Sequence, residues 1–416
     1  MPTSEGQRRF AAEVVGRLRE AGFEAYWAGG CVRDQLLGRT PKDYDVATNA
    51  TPDQVRQLFG RRRTLAIGAA FGVIAVLGPK TVGAVEVTTF RRDAAYSDGR
   101  HPDSVAFSSA EEDASRRDFT INGLFYDPIE DRVIDYVGGR RDLADRRLRA
   151  IGEADERFAE DKLRMLRAVR FAATFQLTVD EDVVRAIERM AGEIRVVSPE
   201  RIAMEMRRLL VDGHRADGVR LLLETGLAEP LLPEIVPRDS LTQERLEKSR
   251  AVLTRLPDPC GFPLALAAAL YGAVDPPGAL AVCRRWRLSN KETDRVVWLI
   301  ERGDALREAA TMRWSALQPL LTDVAADDLL TWTEARGWSE SAVYCREQME
   351  RRRDRIDPSP LVTGDDLLAE GIPPGPQFKG WLQRLRDAQL DEEIGSTDDA
   401  LQLVRRWRAE ESHEAP

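Results

Sequence analysis

The spacing of apolar residues changes once along this chain, and this change limits the folds that the chain can adopt. Before about residue 140, short β-branched runs alternate with helical stretches, and the clearest strand pattern is VGAVEVTTF at 82–90. Beyond that point, apolar residues recur at helical spacing, most regularly over 160–175, 181–193, 199–211 and 215–226. The pattern predicts an α+β head followed by a long helical remainder.

The head contains several short predicted elements and one long polar segment. Helices are predicted at 7–20 and 31–37, and strands at 25–28, 46–48, 71–77 and 82–90. Residues 91–113 are polar and contain glycine and proline, so we expect a long loop there. Loops of this length are uncommon in compact domains and are often functional.

Composition excludes several classes of protein. A chain of 416 residues is too long for one compact core, so we expect several domains. The net charge is −9, and binding to a nucleic acid would therefore require basic residues gathered on one face. Four scattered cysteines without a CxxC pair and only three histidines argue against a structural zinc site. No signal peptide or membrane-length apolar run is present, so a cytoplasmic location is expected.

A glycine pair and an acidic pair lie close together near the N-terminus. Gly29 and Gly30 begin the run GGCVRD, and Asp43 and Asp45 belong to the run DYD. On a strand, two carboxylates separated by one residue point to the same face. Such a pair can hold divalent cations, and magnesium is the usual ion beside phosphates. The glycines allow the backbone to approach a triphosphate closely, and Arg33 stands where it could bind the same phosphates.

Each short motif also has an ordinary explanation. DYD alone is most often a surface turn, but its combination with GGCVRD is much more specific and favours a metal and triphosphate site. Glu86 lies in the predicted strand VEVTTF. It is either a third carboxylate beside the metal pair or an exposed strand glutamate, and the sequence leaves both explanations open.

Two arginine-rich motifs follow. Arg116 and Arg117 begin the run RRDFTIN at a predicted loop-to-helix boundary, where they would bind triphosphate or form a solvated basic pair. In the later run EDKLRMLRAVRF, one acidic and three basic residues recur every three positions and share one face of the predicted helix: Asp161, Arg164, Arg167 and Arg170. Three stacked arginines repel one another unless an anion lies against them. The spacing therefore predicts phosphate or RNA at this face.

Asp161 and Arg164 also form a recognition pair for a nucleobase. A carboxylate accepts from the exocyclic amine of cytosine or adenine, and a guanidinium donates to the adjacent ring acceptor. Uracil and guanine present the opposite groups, so the pair predicts template-free selection of C and A. The alternative is a solvated, salt-bridged helix, which explains neither the third arginine nor the apolar opposite face.

The four motifs, taken in order, resemble those of a known family: the class II tRNA nucleotidyltransferases and bacterial poly(A) polymerases, within the polymerase-β nucleotidyltransferase superfamily. The resemblance covers about residues 24–235 and continues in the C-terminal pattern LVTGDDLLAEGIPPGPQFKGWLQRLRDAQLDEEI. It implies a head with a mixed five-stranded sheet over 1–145, a helical neck with the nucleotide-selecting helix over 146–212, a helical body over 213–350 and a tRNA-binding tail over 351–416.

The resemblance further implies an activity and its site. The chain would add C, C and A to the 3′ end of tRNA from CTP and ATP, with release of pyrophosphate. Two Mg²⁺ ions would be held by Asp43 and Asp45, and the helical domains would grip the acceptor stem and T arm; no protein partner is expected. The implied nucleotide-binding residues are Gly29, Gly30, Arg33, Arg117, Asp161, Arg164, Arg167 and Arg170.

The subfamily is judged from the polar segment and the overall charge. Residues 91–113 retain Arg91, Tyr96, Asp98 and Arg100, which resemble the flexible loop that members adding all three nucleotides use to switch from CTP to ATP. Poly(A) polymerases commonly carry basic extensions, whereas this chain is acidic. An A-adding nucleotidyltransferase, a poly(A) polymerase and a non-catalytic RNA-binding relative remain alternatives. No His-Asp dipeptide is present, so phosphohydrolase activity is not expected.

Overall fold

A computed structural model of the chain describes residues 4–68, 72–93, 105–352, 356–372 and 376–414. The chain packs into two compact units, Met1–Val236 and Pro237–Pro416. None of the described helices combines the length and the apolar character that a membrane crossing requires. The finer division into head, neck, body and tail stays a prediction.

Strands occur in the first unit. In chain order, the described ones are β1 (Ala25–Ala28), β2 (Asp45–Thr48), β3 (Thr64–Gly68), β4 (Val73–Leu77), β5 (Ala84–Thr89), β6 (Arg91–Asp93), β7 (Val105–Phe107), β8 (Leu124–Asp127), β9 (Arg132–Asp135), β10 (Arg147–Leu148) and β11 (Thr178–Val179). Within the described residues, seven of them form one mixed sheet in the order β3-β4-β5-β2-β1-β8-β9. β2 and β5 run parallel, and the other neighbours in this sheet are antiparallel.

Helices flank the sheet and continue after it. Those of the first unit are α1 (Ser4–Glu20), α2 (Gly30–Leu36), α3 (Pro52–Phe59), α4 (Ala110–Ser115), α5 (Gly139–Ala144), α6 (Ala154–Glu160), α7 (Leu163–Phe175), α8 (Glu181–Met190), α9 (Pro199–Leu210), α10 (Arg215–Glu224) and α11 (Ala228–Leu231). Those of the second unit are α12 (Ser240–Arg255), α13 (Phe262–Leu270), α14 (Pro276–Arg285), α15 (Asn290–Arg302), α16 (Trp314–Leu321), α17 (Ala326–Ala335), α18 (Ser339–Arg351), α19 (Gly364–Ala369), α20 (Pro376–Leu390) and α21 (Thr397–Glu414).

The two faces of the sheet have different neighbours. α1 packs against β1, β2 and β5 with its buried residues Val14 and Leu18. On the other face, Ala47 of β2 and Phe90 pack with Ala114 of α4. Side chains alternate between the faces of a strand, so Asp45, two residues before Ala47, lies on the α4 side. β2 thus carries Asp45, one of the two predicted metal-binding acids, on that side.

The α+β class is confirmed, but the strand count differs from the prediction. The described sheet has seven strands where five were expected. β3, β8 and β9 had not been predicted from local pattern. β3 exposes Leu65, Ala66 and Ile67 in succession, and all of β8 is buried, so neither strand shows the alternation that marks a half-buried strand.

The helix predicted over 160–175 begins later than expected, and the helix that precedes it was not predicted. α6 ends at Glu160, Asp161 adopts an extended conformation with φ of −148°, and α7 begins at Leu163. Oδ1 of Asp161 accepts from the Leu163 N–H at 3.1 Å. Aspartate competes for local backbone donors in this way, and this explains why the first helix stops there.

The segment 91–113 is more ordered at its ends than predicted. β6 pairs with β7 as an antiparallel hairpin, and α4 begins after a capping box formed by Ser109 and Glu112. Residues 94–104, which include Tyr96, Asp98 and Arg100 of the predicted flexible loop, lie outside the described residues.

A glycine-to-alanine change at the first residue of α5 tests the packing between this helix and the neighbouring backbone. A Cβ on Gly139 would lie 2.0 Å from the carbonyl oxygen of Thr120, so Gly139→Ala should destabilise the first unit by about 3 kcal/mol. Gly192→Ala is the matched control, because a Cβ there meets no described atom within 4 Å. Urea unfolding measures both variants, and equal midpoints would refute this account of Gly139.

Candidate active site

The acids predicted to bind metal lie at one end of β2. Asp45 begins the strand, and the parallel pairing places it opposite Glu86 of β5. Tyr44 is buried, with its ring centre 4.8 Å from that of Trp27, whereas Asp43 is exposed. Asp43 and Asp45 line the same cavity. Asp43 precedes the strand, which corrects the expectation that both acids lie within it.

Acidic charge is concentrated around Asp45. Burial, Asp43 and Glu86 together raise the pKa of Asp45 to about 7, although Arg117 opposes them. A carboxylate in these surroundings is stabilised as an anion when a cation approaches it. Mg²⁺ prefers such oxygen ligands and takes the rest of its shell from phosphates and water. Among the described residues, no three His, Cys, Asp or Glu side chains are grouped closely enough to hold a metal ion.

The glycine pair forms the turn from β1 into α2. Gly29 has φ of 70°, a left-handed conformation that favours glycine. A Cβ on Gly29 would lie 2.8 Å from Nη1 of Arg117. The glycine therefore allows the arginine to lie directly against the turn. Gly30 is the first residue of α2, and both glycines line the cavity.

Arg33 is held in a fixed position below the turn. Its Nε and Nη2 donate to Oδ1 of Asp34 at 2.9 and 2.7 Å, and its Nη1 donates to Oδ1 of Asn122 at 2.6 Å. The guanidinium also lies 4.2 Å from the ring centre of Phe175. Only 8% of Arg33 is exposed. The residue thus presents a fixed positive charge to the cavity.

Arg116 and Arg117 follow α4 and do not begin a helix, contrary to the prediction. Both hold the buried carboxylate of Asp113, Arg116 Nη2 at 2.7 Å from Oδ1 and Arg117 Nη2 at 2.9 Å from Oδ2. Burial alone would raise the pKa of Asp113, but the two guanidinium groups outweigh burial and lower it. The carboxylate therefore stays ionised and fixes both arginines at the edge of the cavity.

The arginines of α7 have carboxylate partners within the chain. Arg167 donates through Nε and Nη2 to Oδ2 of Asp118 at 2.8 and 2.6 Å. Arg170 donates to Oε2 of the buried Glu205 at 2.6 Å. The repulsion that predicted a bound anion is thus balanced by the protein, and the spacing of the arginines alone no longer indicates one.

Asp118 is the most strongly stabilised of these carboxylates. Burial alone would raise its pKa, but Arg167, the side chain of Asn122 and Arg164 lower the pKa of Asp118 to about 2. Asp118 thus remains an anion at physiological pH and holds the Arg167 guanidinium beside it at the cavity.

Asp161 and Arg164 lie close together but are held by different groups. Asp161 lies in the turn between α6 and α7 and not on the helix face, as described above. Its two oxygens accept from Nη1 and Nη2 of Arg201 at 3.2 and 2.7 Å. Arg164 pairs with Glu160 at the end of α6. The predicted recognition pair is therefore adjacent, although its geometry differs from the predicted one.

These groups line one cavity of about 610 Å³. It brings together the predicted metal-, phosphate- and base-binding residues: Gly29, Gly30, Arg33, Asp43, Asp45, Arg117, Asp161, Arg164, Arg167 and Arg170. It is also lined by residues to which the sequence analysis gave no role: Asp118, Asn122, Leu163, Phe171, Arg201 and Arg208. Several of these belong to motifs that were recognised, but only the fold brings them to the cavity.

A second cavity of about 280 Å³ adjoins the first. The two share Asp45, Arg116 and Arg117, and the second also contains Glu86 and Arg91. The backbone N–H of Arg91, at the start of β6, donates to Asp113 at 3.2 Å. Glu86 therefore lies beside the acidic pair but lines the neighbouring cavity and not the first one.

Burial and the neighbouring acids together predict that Asp45→Asn stabilises the folded chain at high pH. The pKa of Asp45 is about 7 in the folded chain, well above the ordinary value of 3.8 for an aspartate, so the folded state binds this proton more tightly than the unfolded state does. Ionisation of Asp45 in the folded state lowers the free energy of unfolding. This loss is absent below the pKa of the unfolded state and complete above pH 7.

At pH 8 the Asp45→Asn variant should gain on the order of 1–3 kcal/mol in unfolding free energy, and the gain should shrink towards pH 5. Urea unfolding at both pH values measures the gain, with Asp53→Asn on the exposed start of α3 as the control. A gain independent of pH would contradict the raised pKa of Asp45.

Comparison with known proteins supports a family assignment. The model of the poly A polymerase head domain matches residues 25–149, and that of the probable RNA and SrmB-binding site of polymerase A matches 156–238. The CCA-adding enzyme of Latilactobacillus sakei is 34% identical over 404 residues, covering 94% of this chain and 96% of that protein. Poly(A) polymerase I of Salmonella typhi is 42% identical over 240 residues, covering 54% of this chain and 50% of that protein.

A solved structure extends the similarity to the fold. The crystal structure of the Bacillus stearothermophilus CCA-adding enzyme in complex with CTP has a TM-score of 0.82 and 29% identity, and covers 99% of this chain and 100% of that one. The similarity to CCA-adding enzymes thus spans both compact units, whereas the poly(A) polymerase match spans about half of the chain. From the matched motifs, the near-complete coverage and the shared fold, this chain belongs to the family of CCA-adding enzymes and poly(A) polymerases.

Proposed function

We propose that this chain adds C, C and A in turn to the 3′ end of tRNA, using CTP and ATP and releasing pyrophosphate. The observation that carries the proposal is the similarity to CCA-adding enzymes over 94% of the chain. The composition of the 610 Å³ cavity agrees with it, because Asp43 and Asp45 line it together with several guanidinium groups. Such a cavity suits a nucleoside triphosphate beside a reacting hydroxyl.

The triphosphate would lie against the glycine turn. Gly29 lets Arg117 lie against the turn, Gly30 places no side chain there, and Arg33 and Arg117 supply positive charge. Both arginines are already held by neighbouring groups, Asn122 and Asp113 respectively. Binding therefore requires little reordering of these side chains, and this favours positioning as the source of catalysis.

Asp43 and Asp45 would hold the Mg²⁺ ions, in keeping with their oxygen ligands and with the raised pKa of Asp45. When bound, Mg²⁺ supplies charge neutralisation on the phosphates and activation of the attacking hydroxyl. Glu86 faces Asp45 across the parallel pair of strands and adds a third negative charge to the cluster. Its role would be electrostatic or direct binding to the metal.

The end of the RNA would enter through the second cavity. This cavity shares Asp45 with the first one, so a hydroxyl there lies next to the metal-binding acids. Arg91 and Arg116 also line it and supply positive charge for the terminal phosphates. The two cavities thus offer separate places for the two reactants on either side of Asp45.

Asp161 and Arg164 would select the base, with Asp161 accepting from the amine of cytosine or adenine and Arg164 donating to the adjacent ring nitrogen. Arg167 and Arg170 would support the same wall of the cavity through Asp118 and Glu205.

The flexible-loop residues Arg91, Tyr96, Asp98 and Arg100 would govern the change from CTP to ATP. The helices after the head would bind the acceptor stem and T arm of tRNA, and the protein would act in the cytoplasm, where its substrates are found.

The second candidate is a poly(A) polymerase, favoured by the 42% identity to poly(A) polymerase I of Salmonella typhi. An A-adding nucleotidyltransferase shares the same motifs. Incubation with a tRNA that ends at the discriminator base separates the three. CTP and ATP together should give a three-nucleotide ladder that ends in A. Long A tails would identify a poly(A) polymerase, and extension only of tRNA already ending in CC would identify an A-adding enzyme.

Removal of the first acid tests the metal assignment. Asp43→Ala should lower incorporation by at least about a thousandfold, because charge neutralisation at the phosphates is lost. Binding of tRNA, measured by gel shift, should change little. Asp53→Ala is the control, since Asp53 is exposed on α3 away from the cavity lining. Retained incorporation in the purified Asp43→Ala variant would remove this residue from the mechanism.

Removal of the base acceptor tests nucleotide selection. Asp161→Ala should lower the preference for CTP over UTP by roughly tenfold or more, since the amine of cytosine loses its acceptor. Single-nucleotide addition with each triphosphate in turn measures the ratio of kcat/KM values. An unchanged ratio would show that another group selects the base.

A further inference from the structure

The orientation of Asp161 is not set by a helix. The residue lies between α6 and α7 with φ of −148° and ψ of 107°, so the regular helical contacts that fix a side chain are missing there. The Leu163 N–H donates to Oδ1 at 3.1 Å and holds one oxygen. A carboxylate held at one oxygen can still swing about its side-chain bonds. A second contact is needed to give it a single direction.

Arg201 supplies that contact from a different helix. Arg201 is on the first turn of α9, 40 residues away in the chain, and donates to both oxygens of Asp161 at 3.2 and 2.7 Å. The side chains are only 20% and 15% exposed. Both residues line the 610 Å³ cavity. A planar guanidinium that holds both oxygens fixes the plane of the carboxylate.

The number of acceptor directions limits what else can bind to Asp161. An ionised carboxylate offers about four such directions. Arg201 takes two and the Leu163 N–H takes one, so one direction is left for a ligand. Because Arg201 and the Leu163 N–H leave a single acceptor direction, a ligand can donate a hydrogen bond to Asp161 only from that direction.

We propose that Arg201 is a positioning residue for nucleotide selection, which fixes Asp161 so that its remaining acceptor direction meets the exocyclic amine of the incoming base. The proposal rests on the proposed function. It divides the recognition pair in two, because Arg164 is held by Glu160 of α6 and Asp161 is held by α9. Loss of Arg201 would therefore loosen the acceptor half and leave the donor half in place.

The separate support of Asp161 and Arg164 predicts a specific error in nucleotide selection. Uracil carries a carbonyl where cytosine carries the amine, and a fixed carboxylate opposite that carbonyl repels it. A carboxylate that is free to turn away repels it less. Variants of Arg201 should therefore accept UTP more readily, with a smaller change in the use of CTP.

The test compares Arg201→Met and Arg201→Lys with the wild type in single-nucleotide addition to a tRNA lacking CCA. The ratio of kcat/KM for CTP over UTP should fall by about tenfold in Arg201→Met, and less in Arg201→Lys, which keeps the charge but not the two-point contact. Arg189→Met is the matched control. It breaks a similar two-point pair with Asp155, at 3.3 and 2.6 Å, which lies outside the cavity lining. The control should keep the wild-type ratio.

A double variant separates positioning from a general loss of structure. If Arg201 acts through Asp161, Asp161→Ala and Asp161→Ala/Arg201→Met should have the same CTP to UTP ratio. An unchanged ratio in Arg201→Met, or a further fall in the double variant, would overturn the proposal. If Arg201→Met does not fold, as judged by thermal melting, the ratio in Arg201→Lys decides in the same way.

The outcome can be distinguished from failure of the proposed function. If the wild type extends no tRNA, that function fails, and the affinities of CTP and UTP for the wild type and Arg201→Met, measured by calorimetry, still test the role of Arg201. Wild-type preference for CTP that is lost in the variant would support it. Equal preference in both proteins would refute it.

Discussion

The site depends on the parallel pairing of β2 with β5, which sets Asp45 opposite Glu86 in the interior of a sheet. Backbone hydrogen bonds along both strands fix this position, so the two acids cannot move apart without loss of the sheet. Asp43 adds a third negative charge, and Arg117 opposes the three only in part. A cation bound beside this cluster would relieve the repulsion among its negative charges. A cation in that place also suits a reaction on phosphates, so the pairing of the strands relates to the chemistry of the site.

The arginines that line the cavity are arranged differently from these clustered acids. They are each paired with an acid of the protein, such as Arg167 with Asp118 and Arg170 with Glu205. Pairing lowers the net positive charge, but it also fixes these long side chains when the protein folds. Their conformational entropy is therefore not lost when a ligand binds. A guanidinium has five N–H donors, and a carboxylate that occupies two of them leaves others for a ligand. The arginines are therefore ordered before any nucleotide arrives.

What the sequence could predict is local. The strands β1, β4 and β5 and the acids of DYD follow from alternation over a few residues, and the turn at Gly29 follows from the glycine pair. Contacts between distant segments could not be predicted: Asp118 meets Arg167 across 49 residues and Asp161 meets Arg201 across 40. The start of α7 was placed too early because Asp161 fits the helical period in sequence, yet its carboxylate accepts from the backbone N–H of Leu163. When a segment contacts a distant part of the chain, the periodic pattern of its own sequence does not reveal that partner.

The recognition pair alone does not decide between the members of the family. Cytosine and adenine both present an amine beside a ring acceptor, so Asp161 and Arg164 would accept either base at every step. The order of addition and the stop after three nucleotides must therefore come from other parts of the chain. The poly(A) polymerase match covers 54% of the chain and the CCA-adding match 94%. The described lining of the cavity belongs to the unit that ends at Val236, so we expect the limit on product length to depend on the unit that starts at Pro237.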